Sequence, residues 1–135
     1  VHRSGGKLSV MICDIDNFKQ VNDRFSHQVG DQVLRQVAAI LKSCAREVDT
    51  VARYGGEEFV VLFPDNSLSE AFAASNRLRE AVERATWQDI HPDLRVTLSM
   101  GLCDDVSLVD GLAMIDRADE KLYVAKRSGK NRVCY

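Results

Sequence analysis

Leu8 to Ile12 is a short apolar run after the polar, glycine-containing Ser4-Gly5-Gly6-Lys7, a pattern that predicts a buried strand. The polar stretch Asp14-Ile15-Asp16-Asn17-Phe18-Lys19 follows. A long helix is then predicted from about His27 to Arg46, because Val29, Val33, Val37, Ile40, Leu41 and Cys44 recur at three- and four-residue steps. Two strands are expected near Thr50–Tyr54 and Glu58–Phe63, separated by Gly55-Gly56. Paired glycines between β-rich runs signal a hairpin, since tight hairpin turns use positive φ. Pro64-Asp65-Asn66 ends the second strand. Ser67 can cap the next helix, with Glu70 completing a capping box. The inner face of that helix is Leu68, Phe72, Ser75, Leu78, Val82 and Ala85.

Leu94, Val96, Leu98 and Met100 alternate with other residues, as in a half-buried strand. Ser107 can cap a last helix, with Leu108, Leu112, Ile115, Ala118, Leu122 and Ala125 as its buried stripe. Gly129 fits the position just past the helix end, and residues 131–134 add a short strand. The order β-α-β-β-α-β-α-β, with a hairpin between crossover helices, predicts an α+β fold: a mixed sheet with helices packed on it.

Composition narrows the function. The 135 residues indicate one domain, spanning 1–135, and 45% apolar with 28% charged residues is ordinary for a globular protein. A net charge of −2 argues against a general nucleic-acid binder, but a small phosphorylated ligand needs only a few local cations. The cysteines at 13, 44, 103 and 134 form no CxxC pair and fit no zinc spacing. They read as reduced, mostly buried thiols of a cytoplasmic protein. No apolar run approaches the roughly 20 residues of a membrane helix. An anchor elsewhere in a longer protein remains compatible with this.

Candidate chemistry gathers at one end of the expected sheet. Asp14 follows the first strand, and Glu57 and Glu58 follow the glycine pair. Carboxylates converging from neighbouring strands suit a hard divalent cation with oxygen ligands, such as Mg²⁺ with substrate phosphates. The plainer alternative makes Asp14 and Asp16 helix caps and the two glutamates solvated hairpin charges.

Five motifs weigh against that alternative. Arg53-Tyr54-Gly55-Gly56-Glu57-Glu58-Phe59 resembles the signature hairpin of GGDEF diguanylate cyclases, in its GGEEF form. Asp14-x-Asp16-x-Phe18-Lys19-x-x-Asn22-Asp23 and His27-x-x-Gly30-Asp31-x-x-Leu34 resemble the family's metal and nucleotide segments. Ser99-Met100-Gly101 resembles its central-strand motif. Ala118-Asp119-x-x-Leu122-Tyr123-x-Ala125-Lys126-x-x-Gly129-Lys130-Asn131 resembles its C-terminal motif.

The resemblance implies a mainly antiparallel palm-like sheet, ferredoxin-like and related to nucleotidyl cyclases. It implies condensation of two GTP into cyclic di-GMP across a homodimer. Asp14, Glu57 and the backbone carbonyl of Ile15 would bind Mg²⁺, with Mn²⁺ as a substitute. Glu57 would accept the hydroxyl proton, with Glu58 the alternative acceptor or a ligand to a second metal. Asn22 and Asp31 would read the guanine edge, since a carboxylate accepts from N–H groups and an amide can donate. His27 would contact substrate or simply be exposed. Phe18, Lys19, Gly55 and Gly56 would line the nucleotide site. Lys126 and Lys130 would hold terminal phosphates; they equally fit a solvated basic helix end. Lys130 stands where the family often has Arg, keeping charge but losing the planar fork. Ser26 stands where the family usually has Gly.

Arg46-x-x-Asp49, with five residues between Asp49 and Gly55, resembles the family's inhibitory site for its product, with Arg77 as a second arginine. A retained but non-catalytic receptor for cyclic di-GMP or GTP is the competing reading. The family usually has a further helix, a DxLTGLxNR-like segment and a sensory or regulatory domain ahead of the first strand. None of these occurs in residues 1–135, so low activity is expected without enforced pairing.

Overall fold

The computed structural model describes residues 7–105 and 111–135. Its elements are β1 (Leu8–Ile15), α1 (Phe18–Arg24), α2 (His27–Cys44), β2 (Thr50–Arg53), β3 (Glu58–Pro64), α3 (Leu68–Glu83), a 3₁₀ turn (Trp87–Asp89), β4 (Leu98–Cys103), α4 (Gly111–Arg127) and β5 (Val133–Cys134). The sheet order is β2-β3-β1-β4-β5. The β2–β3, β3–β1 and β1–β4 pairs are antiparallel, and β4–β5 is parallel. The expected α+β fold with a mixed, mainly antiparallel sheet is therefore what forms.

Strand alternation sorts the core into two layers. Met11, Cys13 and Ile15 of β1 join Phe59, Val61 and Phe63 of β3 and Leu98, Met100 and Leu102 of β4 on one face. There they pack against Val33, Val37 and Leu41 of α2 and Ala71, Leu78 and Val82 of α3. Val10, Ile12 and Val60 point the other way, onto Met114, Ala118 and Leu122 of α4. Helix α4 lies unusually close to the sheet at Gly101, where a Cβ would collide with the backbone of Ala118 and Leu122. Helix α3 begins with the expected capping box: Ser67 Oγ accepts from Glu70 N–H at 3.2 Å, and Ser67 N–H donates to Glu70 Oε1 at 2.8 Å.

Several expectations change. Strand β1 runs three residues further than Ile12, because pairing with β3 and β4 continues through Asp14 and Ile15. The polar stretch after it includes a seven-residue helix, α1, with a single buried residue, Val21. Helix α2 ends at Cys44, which is exposed. Cys134 is only partly covered, so Cys13 and Cys103 alone are buried thiols. Leu94 and Val96 are buried as expected, but the strand itself begins only at Leu98. Leu112 is 64% exposed and lies outside the stripe of α4. The expected cap Ser107 and stripe residue Leu108 fall outside the described residues. Among the described residues, no helix is long and apolar enough to cross a membrane.

Candidate active site

The register decides which carboxylates meet. Asp14 pairs across β1–β3 with Glu58 and across β1–β4 with Ser99. Asp14 is an even-numbered neighbour of Val10 and Ile12, so it shares their α4-facing side. Glu58, two residues before Val60, shares that side too. The hairpin closes when Tyr54 N–H and Gly55 N–H donate to Glu58 O at 2.8 and 3.3 Å. Glu57 O accepts from Ile15 N–H at 3.2 Å, fixing the loop to the end of β1.

Asp14 is 7% exposed. Lys126 of α4 donates to its Oδ2 at 2.6 Å, while its Oδ1 is buried with no hydrogen-bond partner among the described residues. Burial pushes the Asp14 carboxyl up to about 6; Lys126 opposes that rise, and the charges of Glu57 and Glu58 add to it. Burial, then Asp119 and Glu57, also raise the Glu58 carboxyl above its ordinary value. Asp119 carried no assigned role in the sequence reading, although its place in the C-terminal motif was the signal. One helical turn pair on α4 thus brings an acid and a base to the carboxylates of the sheet.

A hard cation fits this set. Asp14 Oδ1 is a buried carboxylate oxygen with no partner among the described residues, and an ammonium sits on Oδ2. Among the described residues, no three acidic, His or Cys side chains group as a ready-made metal cage. Two carboxylates and a backbone oxygen, completed by phosphate, match the way Mg²⁺ is ordinarily held.

The nucleotide-segment residues gather where α1 meets α2. Gly30 packs so tightly that a Cβ would strike Asn22 Oδ1, with the Phe18 ring 3.4 Å away. Asn22 and Phe18 therefore lie against the first turns of α2, beside Asp31. His27 opens α2 and is exposed, as are Lys19 and Asp31. Ser26 caps α2 by accepting from Val29 N–H at 3.1 Å, at φ 150° and ψ 166°.

The glycine pair works differently from expectation. Among the described glycines only Gly129 has positive φ. The connection between β2 and β3 holds four residues, 54–57, so no primed two-residue turn is required. A Cβ on Gly55 would sit 3.0 Å from Glu58 Oε1, which gives that glycine a packing reason. Arg53 Nε donates to Gly55 O and Gly56 O, both at 3.1 Å, bracing the loop.

Lys130 is not on the helix with Lys126, because α4 stops at Arg127. Lys130 N–H instead donates to Ala125 O at 2.9 Å, closing a Schellman-type end over Gly129. Its Nζ reaches Asn17 Oδ1 at 2.7 Å, at the entrance to α1.

Arg46, Asp49 and Arg77 line one surface depression with Cys44, Phe63 and Asn66. Arg46 Nη2 and Nε grip Asp49 Oδ1 at 2.8 and 3.1 Å, and Nη2 also reaches Pro64 O at 2.8 Å. This depression borders the far end of β3 from Glu58. Seven strand residues place the two sites roughly 20 Å apart.

A mixed, mainly antiparallel sheet with helices on both faces, and paired carboxylates on the face of a lysine-bearing helix, is the α+β arrangement expected from the motifs. Residues 1–132 match the family described as "Diguanylate cyclase, GGDEF domain", and the chain belongs to that family. It is 42% identical over 137 residues to diguanylate cyclase A of Treponema denticola, covering 98% of this chain and 37% of that protein. The chain thus spans well under half of that relative. Its fold superposes on the GGDEF domain of DgcB from Caulobacter crescentus, solved with c-di-GMP, with a TM-score of 0.86 and 36% identity over 96% of this chain and 78% of that one. The active GGEEF domain of a Vibrio cholerae diguanylate cyclase gives 0.87 and 32%, over 95% and 81%.

Proposed function

We propose that this domain condenses two GTP molecules into cyclic di-GMP and releases two pyrophosphates. The observation that carries the reading is Asp14: buried, in register with Glu58, one oxygen on Lys126 and the other without a partner among the described residues. Asp14, Glu57 and the Ile15 carbonyl would hold Mg²⁺, with Mn²⁺ as a substitute. The cation, when bound, would supply charge neutralisation at the reacting phosphate and lower the pKa of the attacking hydroxyl.

The chain's own residues do the rest. Asn22 and Asp31 select guanine by pairing its edge, a set that leaves other bases with unmatched groups. Phe18 and Lys19 flank the phosphates at the start of α1, Gly55 and Gly56 let the hairpin backbone approach the nucleotide, and His27 borders the base. Lys126, now on Asp14, and Lys130, now on Asn17, would hold the terminal phosphates. The 3′-hydroxyl of one GTP attacks the α-phosphorus of the other, the bond to pyrophosphate breaks, and the hydroxyl proton passes to Glu57, with Glu58 as second acceptor. Repetition closes the ring. Each domain holds one GTP, so two copies must face each other, and positioning supplies much of the rate. Arg46, Asp49 and Arg77 form the inhibitory product site: arginines suit guanine O6/N7 and phosphate, and aspartate suits the N–H edge.

The test is a product assay on the chain fused to a dimerising coiled coil, with GTP and Mg²⁺. Cyclic di-GMP and pyrophosphate are expected. GDP with phosphate would make it a phosphohydrolase, and GTP left intact by a folded dimer would make it a binding module.

A further inference from the structure

Asp16 is a buried carboxylate two residues beyond Asp14, 5% exposed, that the proposed chemistry does not use. Both its oxygens are occupied. Ser99 Oγ donates to Oδ1 at 2.6 Å; Thr97 Oγ1 and the Asn131 backbone N–H donate to Oδ2 at 2.7 and 3.0 Å. Its own N–H donates to Thr97 O at 3.0 Å. One side chain thereby ties the end of β1 to the entry of β4 and to the segment after α4.

That last tie is the informative one. Gly129, Lys130 and Asn131 have φ of 131°, 65° and 46°, three consecutive residues in a region that L side chains rarely adopt. Such backbone persists only where its surroundings over-determine it. Three contacts do so here. The Asn131 N–H ends on Asp16, Asn131 Oδ1 accepts from Arg79 at 2.9 Å, and Asn131 Nδ2 donates to Glu83 at 3.1 Å. Lys130, held between Gly129 and Asn131, is thereby aimed at Asn17 Oδ1, next in sequence to Asp16.

We propose that Asp16 is the positioning residue for Lys130: it fixes the strained turn that presents this ammonium to the terminal phosphates of the nucleotide. The proposal rests on the reading of Lys130 as a phosphate contact. It assigns Asp16 no contact with metal or substrate.

The test measures affinities for GMP and for a GTP analogue with a non-cleavable α,β-bridge, by calorimetry at fixed Mg²⁺. Lys130→Ala first checks the underlying reading: the triphosphate preference should fall about tenfold, as for one lost charge-assisted contact. If it does not fall, Lys130 is no phosphate ligand and that reading fails. Given that fall, Asp16→Asn should lower the preference to a similar degree while GMP affinity stays near wild type. In the Lys130→Ala background it should lower the preference no further, because the two act as one unit. If Asp16→Asn does not fold, Thr97→Val and Ser99→Ala each remove one donor and should shift the same ratio partway. An unchanged ratio in the folded Asp16 and donor variants, or additive losses in the double variant, overturns the proposal.

Discussion

Ser26 offers a sharp test of how this loop is held. It sits at φ 150°, ψ 166°, a region adopted almost only by glycine and costing a side chain about 1–3 kcal/mol. Its hydroxyl recovers part of that by accepting from Val29 N–H at 3.1 Å. Replacing Ser26 with Gly removes the strain, loses a few tenths of a kcal/mol of capping, and adds about 0.4–1 kcal/mol of unfolded-state entropy. With strain near the middle of its range, Ser26→Gly should stabilise the domain by about 1 kcal/mol, a rise in Tm of roughly 3 °C at this size. Ser26→Ala keeps the strain and loses the cap, so it should destabilise by about 1 kcal/mol. Urea titration followed by circular dichroism ranks the three. The expected order is Gly, Ser, Ala; a glycine variant less stable than wild type would refute the strain argument.

Two glycine substitutions should separate function from folding. Gly30→Ala meets the end of the Asn22 side chain, so it should raise KM for GTP about tenfold or more with little change in Tm, whereas Gly101→Ala meets the backbone of α4 and should destabilise by about 3 kcal/mol or more. The Asp14 carboxyl is raised to about 6 in the folded state, so it binds its proton more tightly there than when unfolded. Its contribution to stability is therefore greatest at low pH and is lost as pH rises from about 4 to about 6. Metal-free Asp14→Asn should match wild type near pH 4, exceed it at pH 7 in thermal melts, and show no Mg²⁺-dependent stabilisation with GTP. Arg46→Ala should raise the cyclic di-GMP concentration needed for half-inhibition at least tenfold, read in initial rates, with uninhibited turnover within about twofold.

Much of this architecture was visible in spacing alone. Long periodic runs gave α2, α3 and α4, and the capping box at Ser67 and Glu70 formed as written. What escaped were features set by partners distant in sequence. Helix α1 has only Val21 buried, too little periodicity to register. Strand β1 extends through Asp14 because β3 and β4 flank it, and no local propensity announces that. Leu94 and Val96 alternate correctly, yet alternation reports burial and not hydrogen bonding. The motifs named the acidic residues, whereas the meeting of Lys126 with Asp14, 112 positions apart, is a product of helix α4 crossing the sheet. Only the plainer alternative gave Asp16 a role, as a helix cap; the N-cap of α1 is Asn17, without a side-chain capping bond, and Asp16 is drawn to β4.

The position of these carboxylates explains why the site rests on a strand and not on a loop. An exposed aspartate would be hydrated and cheap, but its charge would be screened. Buried on the α4 face, Asp14 suffers desolvation that one lysine only partly offsets. That residual imbalance favours any small cation able to reach Oδ1. The rigid β1–β3 register keeps Glu58 directly opposite, so the imbalance cannot relax by the two acids moving apart. The same strand β3 carries the rigidity to Phe63 and Pro64, which border the Arg46–Asp49–Arg77 depression. A ligand there cannot touch the nucleotide across roughly 20 Å. If the proposed product site inhibits from that depression, it would have to act by restraining two paired domains relative to each other, or by shifting β3 as a unit, and not by competing for the guanine pocket.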